Sequence, residues 1–232
     1  MRMESNMFDD VKAVIFDIDG TLMDSISRIV ECIRISCSEV GADVPSNEDS
    51  KSVIGLSLGE AIASILPGRN EEEVRKAVEV YKDTYLRLEA ENPTTLFGDA
   101  YDVISELKKR GYKIGIATGK SRRGYDRVMS YVSIAPFIDV SSTGDEVRSK
   151  PDQQMLNRLS DELRIPPKGC LMVGDSSLDI CMGVNAHTRT AGVLTGVHDR
   201  NTLMNAGADA VVNTLSDLLD LLPGTGNSVG MR

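Results

Sequence analysis

Two aspartates one residue apart, Asp17 and Asp19, follow the apolar run Val14-Ile15-Phe16 and lead into Gly20 and Thr21. An apolar, partly β-branched run of strand length that gives way within three residues to carboxylates, a glycine and a hydroxyl reads as a buried strand opening onto a reactive edge. Thr118-Gly119-Lys120, Lys150-Pro151 and Gly174-Asp175 through Asp179 mark similar transitions further along. Carboxylates gathered at one mouth repel each other and lose hydration unless a cation lies among them. A hard, oxygen-liganded ion such as Mg²⁺ meets that need with one or two carboxylates and keeps positions for water and a substrate phosphate. A carboxylate beside such an ion can attack phosphorus, with Lys150 as a point charge, Thr118 as a hydroxyl and the Gly119 amide as a donor at a helix start. Each group also has a plainer role open to it: Thr118 as a helix cap, Lys150 as a solvated lysine, Asp175 and Asp179 as an N-cap region. Their joint placement at one sheet edge favours the chemical role.

The elements that would position these residues follow from periodicity. Helical spacing runs from Asp24 to Val40 and ends at Gly41; Pro45 and the polar run from Ser46 to Ser52 break it. Helices are expected at Leu58–Leu66, closed by Pro67 and Gly68, and at Glu71–Glu91, whose three leading acids suit the positive end of the helix dipole. From Asp99 onward helices and strands alternate. Helices are expected at Asp99–Arg110, Ser121–Tyr131, Gln153–Leu163, Leu178–Ala186, Arg200–Asn205 and Leu215–Leu222. Strands are expected at Lys113–Thr118, Phe137–Ser142, Cys170–Val173, Thr190–Leu194 and Ala210–Val212. The fold class is therefore α/β, a doubly wound parallel sheet with an inserted all-helical module. The expected division is a core from 1–22 and 95–223, a helical cap at 23–94 and a disordered tail at 224–232.

Composition limits the partners. The 232 residues carry a formal net charge of -9, which argues against a nucleic-acid or anionic-membrane surface. Cys32, Cys37, Cys170 and Cys181 form no CxxC pair, and read as buried thiols in a reducing compartment. With no run of membrane-spanning length, a cytoplasmic protein is expected.

Taken together, Asp17-Ile18-Asp19-Gly20-Thr21, Thr118-Gly119, Lys150-Pro151 and Gly174-Asp175 through Asp179 resemble the four motifs of the haloacid dehalogenase-like hydrolases. The helical insertion after the first motif is similar to the small cap of the phosphoglycolate phosphatase-like branch. That resemblance implies Asp17 as the nucleophile of an aspartyl-phosphate and Asp19 as the general acid and base. It implies Mg²⁺ held by the Asp17 carboxylate, the Asp19 main-chain carbonyl and Asp175, with Asp179 direct or through water, and phosphate held by Thr118, Gly119 and Lys150. Because Asp19 is present, dehalogenation at carbon is disfavoured.

The chain departs from the pattern of the branch it resembles at Gly119, where Asn is common, at Gln153, where a second proline is common, and at Asn185-Ala186-His187, where Asn-Ala-Gly is common. His187 reads as a surface or capping residue, while Lys120, Arg122 and Arg123 are either a steering patch for anions or a solvated helix start. The segment Ile54–Gly59 has no charged side chain, which suggests a small substrate gripped by its phosphate. The expected activity is hydrolysis of a small phosphorylated metabolite, 2-phosphoglycolate first, by a monomer or weak homodimer. A hexose-phosphate mutase, a pyrophosphatase and a non-catalytic phospho-acceptor module are the alternatives.

Overall fold

The computed structural model describes residues 7–224, so the tail expected at 224–232 lies outside the described residues from 225 onward. Six parallel strands form one sheet: β1 (Ala13–Phe16), β2 (Lys113–Thr118), β3 (Val140–Thr143), β4 (Cys170–Gly174), β5 (Arg189–Val193) and β6 (Ala210–Val212). Their order is β3-β2-β1-β4-β5-β6. Chain order reverses between β1 and β4, and the crevice beyond the strand ends at such a point is where open α/β sheets place ligands.

The central strands are apolar throughout because both faces are covered. Val14 and Phe16 of β1 pack with Ile114, Ile116, Leu171 and Val173 against α5 (Ala100–Lys109) and α6 (Arg122–Met129). Ala13 and Ile15 face the other way, with Cys170 and Met172, onto α7 (Gln154–Leu163) and α8 (Ser177–Asn185). α9 (Arg200–Asn205) and α10 (Leu218–Leu221) complete the layers.

Between β1 and β2 the chain forms α1 (Ile26–Glu39), α2 (Asn47–Ser52), α3 (Leu58–Ile65) and α4 (Glu71–Glu91). Ile26, Ile29, Val30, Ile33 and Cys37 of α1 share a face at helical spacing and build a separate apolar cluster with Ile62 and Ala77. α4 opens on a capping box in which Asn70 accepts from the Glu73 amide and Glu73 from the Asn70 amide. The insertion joins the sheet through two antiparallel segments: Asp24 N–H donates to Thr95 O at 3.1 Å and Phe97 N–H to Leu22 O at 3.0 Å.

Three expectations are corrected. The polar run Ser46–Ser52 is not a break but α2, held by capping rather than by an apolar face: Ser46 Oγ accepts from Asp49 N–H and the Ser50 hydroxyl donates to Ser46 O. The strand expected at Phe137–Ser142 starts later, because Pro136 shapes a 3-10 turn at Ala135–Phe137 and β3 begins at Val140. Cys181 is half-buried, unlike the other three thiols. His187 is exposed and left-handed, as a residue closing α8. Among the described residues no helix is long and apolar enough to cross a membrane.

Candidate active site

β1 delivers Asp17 to the sheet edge, where its N–H donates to Val173 O of β4 at 3.0 Å. Phe16 pairs with Ile116 on one side and Val173 on the other, so the residues after all three strands arrive at one level. Carboxylate oxygens of Asp17, Asp175 and Asp179 come within 4.8 Å of one another, and all three side chains are buried.

One ammonium serves this cluster. Lys150 Nζ lies 2.7 Å from Asp17 Oδ1 and 2.7 Å from Asp179 Oδ1, with its side chain fully enclosed. Lys150 stands three residues ahead of Gln153, the cap of α7, and its peptide bond to Pro151 is cis. Burial lowers the Lys150 pKa, and Asp17 and Asp179 together outweigh it, leaving the ammonium above its usual range. One cation does not neutralise three acids. Burial, offset in part by Lys150 and reinforced by Asp179 and Asp19, pushes Asp17 up to about 7. Asp175 rises well above the ordinary carboxylate value through burial, Asp179 and Asp17.

The ring of hydrogen bonds around these acids orients them. Asp175 Oδ1 accepts from the Thr21 hydroxyl at 2.8 Å and Oδ2 from Val197 N–H at 2.9 Å. Asp179 Oδ2 accepts from Ser176 Oγ at 2.6 Å and Ser176 N–H at 3.1 Å, the capping box that starts α8. Gly20 adopts φ +81, and a Cβ at Gly20 or Gly196 would run into the Asp175 carboxylate, so two glycines let the backbone close around it.

Asp19 turns away from this cluster. Its Oδ1 accepts from the Ser25 hydroxyl at 2.6 Å and pairs with Lys120 Nζ at 2.8 Å. Lys120 also lies over the Tyr85 ring of α4, 5.4 Å from its centroid. Burial lowers the Lys120 pKa, but Asp19, then Tyr85 and Tyr81, raise it further. Of the expected anion-steering residues, Lys120 is thus a half-buried partner of Asp19, and Arg122 pairs with Glu146 at 2.9 Å; Arg123 lies on the cavity wall.

A cavity of about 730 Å³ opens between the sheet edge and the insertion, bordered by Asp17, Asp19, Gly119, Lys120 and the uncharged Ile54–Gly59 segment. Gly119 touches that segment so closely that a Cβ there would strike the Gly55 and Leu56 carbonyl oxygens. Thr118 is buried beside it, with its Oγ accepting from Lys120 N–H at 3.2 Å, so the hydroxyl proton is left to donate elsewhere.

The structure thus brings Asp17, Asp175, Asp179 and Lys150 into one contact set, and sets Asp19, Gly119 and Lys120 on the adjoining cavity. Lys150 sits on Asp17 itself rather than on the cavity wall. Sequence reasoning missed Ser25, Gly196 and Val197. Gly196, just past the end of β5, carried a signal in its position; Ser25 and Val197 carried none.

The family model for haloacid dehalogenase-like hydrolases matches residues 14–193. The chain belongs to that family. Together with the relatives named as phosphatases and as a pyrophosphatase, that family makes it a phosphoric-ester hydrolase. It is 32% identical over 213 residues to pyrophosphatase PpaX of Bacillus cereus, covering 91% of this chain and 96% of that one. A hydrolase from Pseudomonas syringae superposes with a TM-score of 0.81 at 24% identity, covering 90% of this chain and 96% of its own. A predicted phosphoglycolate phosphatase from Haemophilus somnus does so at 0.77 and 19%, covering 91% and 98%. In this haloacid dehalogenase-like hydrolase, then, the acidic cluster lies beyond the ends of β1 and β4, at the point where strand order reverses.

Proposed function

We propose that the protein is a Mg²⁺-dependent phosphatase of small anionic phosphoryl compounds that works through an aspartyl-phosphate. The observation that carries this is shared by Asp17 and Asp19. In each, Oδ1 is clamped, by Lys150 in one and by Ser25 and Lys120 in the other, while Oδ2 takes no hydrogen bond from the described residues. Each acid is oriented through one oxygen and has the other available for reaction.

Asp17 Oδ2 attacks phosphorus and forms the acyl-phosphate bond as the bond to the leaving oxygen breaks. Asp19 gives that oxygen its proton. Asp19, now a carboxylate, takes a proton from water, whose oxygen attacks the same phosphorus and releases inorganic phosphate and the Asp17 carboxylate. The Thr118 hydroxyl and the Gly119 amide face the phosphoryl oxygens, and Lys150 holds Asp17 in line.

The donor set fits Mg²⁺: hard carboxylate oxygens converge in a buried site, and burial first, then the neighbouring acids, raises Asp17 and Asp175, a cost that a bound cation would offset. Asp17, Asp175 and the Asp19 carbonyl would hold the ion, and Asp179, engaged by Lys150 and Ser176, would stand behind it. Bound there, Mg²⁺ supplies Lewis-acid neutralisation of phosphoryl oxygens.

Two substrates lead. The uncharged Ile54–Gly59 wall supports 2-phosphoglycolate, and the similarity to PpaX supports pyrophosphate. With Mg²⁺, purified protein is expected to release phosphate from at least one of them, and Asp17→Asn to lower kcat by roughly 10³-fold or more. Full activity in Asp17→Asn, or no release by the wild type from any phosphoryl compound tried, would remove the proposal.

A further inference from the structure

Lys120 has a second job available to it. Its ammonium carries three N–H donors. Among the described residues Asp19 Oδ1 is its one oxygen partner, at 2.8 Å, and the Tyr85 ring covers another side at 5.4 Å. Its side chain keeps 12% exposure and borders the cavity beside Asp19. The nearby acid Glu89 does not compete for it, since Arg28 Nη1 holds Glu89 at 2.8 Å and Thr94 and Tyr131 donate to it as well.

We propose that Lys120 forms a second anion subsite, on the leaving-group side of Asp19, so that preferred substrates are phosphoryl compounds whose leaving group carries its own negative charge. This rests on the reading of Asp19 as the acid that protonates the leaving oxygen. An ammonium 2.8 Å from that acid lies within reach of whatever the leaving oxygen is attached to. A carboxylate one carbon away and a second phosphoryl group both present anionic oxygens at that distance, and a charge-assisted bond to Lys120 would hold either. The Ile54–Gly59 wall offers no charge, and of the charged side chains that α4 adds to the cavity wall, Lys82 is held by Glu79 at 3.0 Å, whereas Lys120 is the cation set directly beside Asp19. The Tyr85 ring keeps the ammonium from swinging outward, which makes the subsite depend on α4 being packed over the sheet edge.

The decisive comparison is a matched pair: 2-phosphoglycolate against 2-hydroxyethyl phosphate, which keeps the ester oxygen and the two carbons but lacks the carboxylate. Pyrophosphate and methyl phosphate form a second pair. In the wild type kcat/KM should favour the charged member by roughly tenfold to a hundredfold, the range of one charge-assisted hydrogen bond. In Lys120→Met both members should slow, because Asp19 loses one of the two groups that orient it; the charged member should lose roughly tenfold to a hundredfold more, so that the ratio collapses towards unity, and Lys120→Arg should restore part of that ratio. Which charged compound leads tells whether a carboxylate or a phosphoryl group is the native occupant. Equal use of charged and neutral members by the wild type would overturn the subsite and leave the phosphatase intact, and needs no variant to fold. A Lys120→Met that slows both members equally would also overturn it, by assigning Lys120 to positioning Asp19 alone. Absence of hydrolysis in every arm would remove both readings.

Discussion

Lys150 pairs with two of the three buried carboxylates, Asp17 and Asp179, while Asp175 has no cation beside it among the described residues, and the effect of burying these acids has a sign that can be measured. Asp17 ionises near 3.8 in an unfolded chain and at about 7 in the folded protein, and Asp175 moves in the same direction. Between those values the unfolded chain has released a proton that the folded protein still holds, so stability falls as pH rises through that window. Metal-free protein is therefore expected to melt at a lower temperature at pH 8 than at pH 5.5. Mg²⁺ should raise the melting temperature more at pH 8, where the carboxylates are ionised and ready to bind. Thermal melts in chelator and in Mg²⁺ at the two pH values check this; a Mg²⁺ effect independent of pH would contradict it. The residue types of this cluster were readable in the sequence because each follows a strand, but the pairing inside it was not. Lys120 illustrates the limit: its partners Asp19 and Tyr85 stand far away in the chain, and nothing local distinguishes a solvated lysine at a helix start from one paired with a distant acid.

Among the elements, the strands were the most legible. Ala13–Phe16 and Cys170–Gly174 are buried on both faces and so spell continuous apolar runs. α2 was illegible for the opposite reason: only Ser50 is buried in it, and no apolar period marks it. β3 was misplaced because Phe137 belongs to a 3-10 turn, while Asp139 reaches back to accept from Ile114 N–H at 2.8 Å. Gly119, which differs from the Asn common in the branch, acquires a physical reason at this scale. It meets the backbone of the Ile54–Gly59 segment directly, and any side chain there must displace carbonyl oxygens that cannot rotate aside. Gly119→Ala is expected to cost about 1–3 kcal/mol as overpacking. If the segment yields instead, the cost appears as a severalfold rise in KM. Urea unfolding and steady-state kinetics on the same preparation separate the two, and a variant unchanged in both would show that the contact is slack.

For the molecule as a whole, the insertion is attached to the core in two different ways. At the chain crossings, Leu22–Asp24 and Thr95–Phe97 are hydrogen-bonded to each other. Across the cavity, the Tyr131 hydroxyl donates to Glu89 Oε1 at 3.0 Å, a bond between α4 and the end of α6. The first can act as a pivot and the second as a contact made only when the cavity is covered. Tyr131→Phe should therefore leave the melting temperature within about 2 °C, as expected of a half-exposed position, while raising KM severalfold. A variant with unchanged kinetics would show that the bond does not report closure. The α/β alternation and the helical insertion were both evident from the sequence, since each rests on local periodicity. How the two meet was not, since it depends on Tyr131, Glu89 and Gly119 coming together from separate elements.

The pairing of Leu22–Asp24 with Thr95–Phe97 also bears on how such a chain can be rebuilt. Because the two connecting segments run side by side, the helices between them hang from the sheet like a plug-in part whose two leads end at the same socket. A short glycine-containing turn joining Met23 to Leu96 would complete a hairpin already half formed, and a different helical module could be spliced in at the same two positions without moving β1 or β2.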